Sequence, residues 1–139
     1  MWGKRHKKLA VMLTCADWRL HHRKVGLNAR AAKLLGVAGV DLITLPGPDG
    51  LILPQRQGEW AACLSQIKLL IGVHRPAVLA VLAHQRCAGH PVADGDHVND
   101  VAAAAKALKT DSEFAGPVRA FVAGYRSDTA WDLQAVADF

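Results

Sequence analysis

The chain of 139 residues has three cysteines, no recognisable signal peptide and no apolar run approaching the ~20 residues that a membrane-spanning helix requires. Each shortage excludes a class of protein. An odd, small number of cysteines argues against a disulfide-stapled secreted fold, and instead for a reducing cytoplasm in which thiols pack or bind metal. Without a spanning segment no membrane partner is expected. Repeats, low-complexity tracts and linkers are also lacking, so residues 1–139 read as one domain, long enough to bury a core without disulfides.

Acidic residues are scarce at one end only. The net charge is +5, but residues 1–24 carry Lys4, Arg5, Lys7, Lys8, Arg19, Arg23 and Lys24 against Asp17, which leaves the remainder at −1. A basic lead-in of this kind is expected to be solvated, and no basic and aromatic residues interleave along a strand, so nucleic acid is not an expected partner. Apolar residues make up 51% of the chain, near the upper end for a soluble domain, which predicts some burial against another subunit.

What is present is organised around Cys15-Ala16-Asp17-Trp18-Arg19 and His84-Gln85-Arg86-Cys87. Apolar runs, Leu9 to Leu13 and Ala77 to Ala83, lead into them. A short apolar run that ends at a polar cluster reads as a buried strand of a parallel sheet, so Cys15, His84 and Cys87 are expected just past strand C-terminal ends. That edge is where open α/β sheets bind ligands. Two thiolates and an imidazole suit zinc and leave a fourth position open. If the chain stays extended, Asp17 and Arg19 point to the same side as Cys15, and the guanidinium holds the carboxylate ionised, ready to accept a hydrogen bond from a metal-activated water.

Further along, Asn28 is predicted to cap a helix that carries Ala31, Leu34 and Leu35 and ends at Gly36 or Gly39. Val40 to Leu45 reads as a second strand, and Pro46 to Gly50 as a break at the same sheet edge as the cysteines. Trp60, Leu64, Ile67 and Ile71 form one stripe of a helix over about Gln57 to Ile71. Cys63 on that helix reads as a small buried hydrophobe. A third helix over Val98, Val101, Ala105 and Leu108 is capped by Asp94 or Asp96, and Val118 to Tyr125 is a fourth strand. Thr129 to Phe139 fits an antiparallel strand or a helix. His21, His22, His90 and His97 are expected to be solvated loop or helix-start residues. The alternation of strand and helix specifies an α/β fold with a parallel sheet and helices on both faces.

With both motifs in place the chain resembles the β-class carbonic anhydrases, which carry Cys-x-Asp-x-Arg after the first strand and His-x-x-Cys after the third. The resemblance runs from about Leu9 to Val122. It implies a sheet ordered 2-1-3-4, often with an added antiparallel strand. It also implies zinc held by Cys15, His84 and Cys87, with Asp17 and Arg19 as a catalytic dyad. The implied activity is that of a lyase that interconverts carbon dioxide and bicarbonate, working as a homodimer or higher oligomer. Hydrolysis of carbon disulfide or carbonyl sulfide, and a non-catalytic zinc-binding role, are the alternatives in the same fold. The chain departs from the family pattern at Trp18, where a small residue is usual, at Leu45-Pro46-Gly47-Pro48, which replaces an Arg-Asn-Ala-Gly stretch, and at Ala88, where glycine is common. Fourteen residues precede Cys15, so the family's helical arm is expected to be missing and the dimer less extensive.

Overall fold

The computed structural model describes residues 7–139. Lys4 and Arg5, two of the seven basic residues of residues 1–24, lie outside the described residues. The elements are β1 (Leu9–Thr14), α1 (Leu27–Leu35), β2 (Gly39–Thr44), two 3-10 turns (Pro48–Gly50 and Pro54–Arg56), α2 (Gln57–His74), β3 (Val78–His84), α3 (Asp96–Ser112), β4 (Val118–Ser127) and β5 (Ala130–Asp138). They form one five-stranded sheet in the order β2-β1-β3-β4-β5. The first four strands are parallel and β5 is antiparallel to β4. The order and the added strand are those the family resemblance implied.

The apolar runs are continuous because the central strands are covered on both sides. Val11 and Leu13 of β1 and Leu79, Val81 and Ala83 of β3 face a core built with Cys63 and Ile67 of α2 and Val101, Ala105 and Leu108 of α3. Met12, Ala80 and Leu82 face the opposite side, where Leu27 and Ala31 of α1 pack with Leu20, Val25 and Trp131. The predicted stripe on α2 is observed, since Trp60, Leu64, Ile67 and Ile71 all pack on the first core. Burial pushes the Cys63 thiol up to about 11, so it behaves as the neutral hydrophobe expected of it. No described helix is long and apolar enough to cross a membrane.

The helix starts differ from expectation. Asn28 lies inside α1, whose first residue follows Gly26 in a left-handed conformation, and its side-chain amide donates to the Val40 carbonyl at 3.2 Å. At α3 neither Asp94 nor Asp96 caps the helix, since Gly95 precedes it and Asp96 is its first residue, placed where the helix dipole favours a carboxylate. The segment left open as strand or helix is β5. It closes a hairpin on β4 through Asp128 and Thr129, and its Trp131 is buried opposite Tyr125. Without it, the edge of β4 would expose a row of unpaired backbone groups.

Candidate metal centre

Strands β1 and β3 are neighbours, with Thr14 opposite Leu82, so the residues that follow them come out at one edge of the sheet. Cys15 follows β1 directly. His84 is the last residue of β3 rather than a loop residue, and Cys87 lies three positions on. Arg86 adopts a left-handed conformation (φ 56°), a turn that brings Cys87 back beside Cys15. The two sulfurs are 3.8 Å apart. From the other side Gly47, in the break after β2, donates its backbone N–H to Cys15 Sγ at 3.5 Å.

The Cys15, His84 and Cys87 donor atoms lie within 4.8 Å of one another, and all three residues are buried. The Nδ1 atom of His84 is 2.7 Å from the Gln85 carbonyl, which can only accept, so Nδ1 carries the proton. That leaves Nε2 as a buried lone pair with no hydrogen-bond partner among the described residues. A backbone carbonyl that fixes the tautomer in this way is the usual arrangement behind a metal-binding imidazole. Two Zn–S bonds of ~2.3 Å in a tetrahedral site put the sulfurs about 3.8 Å apart, so the observed spacing fits a metal. The three residues could therefore hold a zinc ion without rearranging the sheet edge.

The thiols titrate as a pair. The S–H of Cys87 hydrogen-bonds the Cys15 sulfur and lowers its pKa, with His84 and the Gly47 N–H helping against burial. The same contact, burial and the charge on Cys15 push the Cys87 thiol up. One thiolate is thus easily formed and the second proton is the one a cation must displace. Burial disfavours a charged His84, but the Cys15 sulfur, the Gln85 carbonyl and the Asp17 carboxylate together outweigh this and raise its pKa.

Asp17 and Arg19 meet at the same edge. Arg19 Nη2 donates to Asp17 Oδ2 at 2.8 Å and Nε to Oδ1 at 3.1 Å, a two-pronged ion pair. These hydrogen bonds hold the Asp17 carboxyl below the usual range. Asp17 Oδ2 is 3.8 Å from His84 Nε2, so the carboxylate borders the three donors. The reason for the pairing is not the extended chain that the spacing suggested. The chain turns at Asp17, with the Leu20 N–H on the Asp17 carbonyl and the Arg19 N–H on Asp17 Oδ1 at 2.9 Å, an aspartate-centred turn. Turning swings Trp18 outward, where it is 64% exposed, so the bulky residue does not fill the site. Arg19 also donates to the Arg86 carbonyl and lies 5.3 Å from the Trp131 ring, which meets His84 edge-on.

All five predicted residues come together. His90 and His97 do not match the expectation of solvated positions. Both are buried, because one nitrogen of each ring finds a carboxylate: His97 Nδ1 lies 2.6 Å from Asp49 and His90 Nε2 2.7 Å from Asp100. His21 is exposed as expected, but it also bonds the Cys15 carbonyl at 2.7 Å. Trp131 was hidden from sequence reasoning in the undecided C-terminal segment.

A family model described as "Putative carbonic anhydrase" matches residues 5–137. Among solved structures, the carbonic anhydrase from Streptococcus mutans is similar over 92% of this chain and 81% of its own, with 16% identity and a TM-score of 0.59, a likeness of fold. No curated protein sequence matches the chain. Since the family match covers nearly every residue, the chain belongs to this carbonic anhydrase family.

Proposed function

We propose that the chain binds zinc through Cys15, His84 and Cys87 and interconverts carbon dioxide and bicarbonate, with Asp17 and Arg19 as the catalytic pair. The observation that carries the reading is the convergence of three buried donors with the Asp17 carboxylate 3.8 Å from the free His84 nitrogen. When bound, zinc supplies a water acidified toward neutral pH and a positive charge for the developing oxyanion. The protein's own part is orientation. Arg19 keeps Asp17 ionised and fixes both oxygens. Asp17 Oδ2 then accepts a hydrogen bond from the attacking water, which leaves a lone pair directed at the carbon of a small linear substrate. His84 keeps its tautomer through the Gln85 carbonyl, and the Gly47 N–H holds the Cys15 sulfur in place.

Two further readings accompany this one. The thiol centre needs a reducing compartment, which supports the cytoplasm. A homodimer is supported by the apolar fraction and by Leu69 and Val73, four residues apart on α2 and 66% and 61% exposed. Zinc content and stopped-flow hydration of carbon dioxide test the central claim, run beside assays on carbonyl sulfide and carbon disulfide. Full zinc with turnover only of the sulfur compounds would replace the lyase by a hydrolase. Full zinc with no turnover of any would leave a binding protein.

A further inference from the structure

We propose that Asp49, His90 and Asp100 form a second metal site, for a divalent first-row transition metal, separate from the cysteine centre. One donor atom from each of the three lies within 4.8 Å of the others. The elements that supply them are independent. Asp49 comes from the 3-10 turn after β2, His90 from the loop after Cys87, and Asp100 from the second turn of α3. Asp49 is 2% and His90 7% exposed, so this is an interior cluster and not a solvated acidic patch.

The internal hydrogen bonds of the cluster leave it incomplete. His97, fully buried on α3, donates Nδ1–H to Asp49 Oδ2, and His90 Nε2 bonds Asp100 Oδ2. Asp49 Oδ1 and His97 Nε2 remain buried with no partner among the described residues. An interior carboxylate oxygen is a strong acceptor that native proteins rarely leave unpaired. The positive groups nearby are the two histidines, if protonated, and Arg56, whose guanidinium is already engaged by Glu59 and by the carbonyls of Pro46, Gly47 and Gly89. A dication between Asp49, His90 and Asp100 offsets both carboxylates at once.

The backbone fits the same purpose. A side chain at Gly50 would put its Cβ 2.5 Å from His90 Nδ1, so the ring is seated against bare backbone with Nε2 on Asp100. His97 then plays the outer part, holding Asp49 by its second oxygen. Ligation needs the Nε2 lone pair, so the neutral ring carries its proton on Nδ1 and gives up its contact with Asp100 to the ion. One imidazole and two carboxylates, with no sulfur, favour ions such as Mn²⁺, Fe²⁺, Co²⁺ or Zn²⁺ over Cu⁺.

Cobalt separates the two centres, because only a thiolate site gives sulfur-to-metal charge transfer in the near ultraviolet. The full chain is loaded with Co²⁺, freed of unbound ion by gel filtration, and counted by elemental analysis. Wild type is expected to hold about two ions, and His90→Gln and Asp100→Ala about one each with the charge-transfer band intact. Cys15→Ser combined with Cys87→Ser should lose the band and keep an ion that depends on Asp100. Asp100 is half-exposed, so its variant tests the site without emptying the core. The second site is overturned if no bound ion depends on His90 and Asp100, whatever the cysteine centre does. Absence of the band from cobalt-loaded wild type, or its survival in the double cysteine variant, overturns the cysteine reading and leaves this one standing.

Discussion

Asp17→Asn removes one charge and changes little volume, which makes it the sharpest probe of the ion pair. Asparagine keeps an oxygen for the Arg19 N–H and Nε, now at 2.9 and 3.1 Å from Oδ1, but its amide nitrogen would face Nη2, donor against donor, where Oδ2 now accepts at 2.8 Å. The side chains of Asp17 and Arg19 are 16% and 18% exposed, so solvent screens the pair only in part. Loss of one charge-assisted bond should cost about 1–2 kcal/mol at neutral pH. The pH dependence has a definite sign. Arg19 holds the folded carboxyl below its unfolded value of ~3.9, so the stabilisation is present above that value and disappears as pH falls through the folded pKa. Urea denaturation of wild type and variant should therefore differ at pH 7 and converge in acid. Zinc content should be unchanged, because the three donors are untouched, while hydration of carbon dioxide should fall about 10²-fold or more. A variant that retains full turnover at full zinc would remove Asp17 from the mechanism. A stability difference that persists into acid would show that the pair is not what stabilises this turn.

Cys87→Ser should lose most of the zinc, since a hydroxyl ionises far less readily than a thiol, whereas Cys63→Ala, remote from the site in the first core, should retain it in the same elemental analysis. Light scattering at micromolar concentration should give a dimer, and Leu69→Glu with Val73→Glu should shift it to monomer; a wild-type monomer would refute the assembly. Gly47→Ala and Gly26→Ala form a matched pair, because both glycines are left-handed, at φ 56° and 58°. The Gly26 change meets nothing within 4 Å among the described residues and should cost only the conformational penalty of about 1 kcal/mol in thermal unfolding. The Gly47 change would bring a Cβ to 2.5 Å from the Gly89 backbone, and should cost a further 1–3 kcal/mol or so and weaken zinc retention; equal effects would show that the contact is not tight.

The parts of the molecule legible in the sequence were those whose signal is local. A strand covered on both faces must be apolar at every position, so β1 and β3 could be read from their runs, and a polar cluster after each marked the sheet edge. The helix caps are not legible for the same reason in reverse. Asn28 and Asp94 have the right chemistry for an N-cap, but Asn28 is drawn to the Val40 carbonyl across a loop, and nothing within a helix's own sequence reports that competition. His90 and His97 read as solvated from sequence because burial of an imidazole depends on a carboxylate arriving from elsewhere. Asp49 lies 48 positions from His97, and no periodicity links them.

Two of the segments that depart from the family pattern are joined by a contact between distant glycines. Leu45-Pro46-Gly47-Pro48 does not resemble the usual stretch after the second strand, and Ala88 stands where a glycine often follows the second cysteine, though Gly89 remains. In the fold these two segments lie against each other. A Cβ on Gly47 would meet the Gly89 carbonyl carbon at 2.5 Å, and a Cβ on Gly89 would meet the Gly47 nitrogen at 2.6 Å. Each glycine is therefore required by the other, and the close approach does two things at once. It brings the Gly47 N–H to the Cys15 sulfur, and it lets Arg56 span the Gly47 and Gly89 carbonyls at 3.0 and 3.3 Å. Either glycine by itself reads as a turn residue. Taken together they clamp the break after β2 onto the loop that carries Cys87, so the altered stretch still supports the edge where the three donors meet.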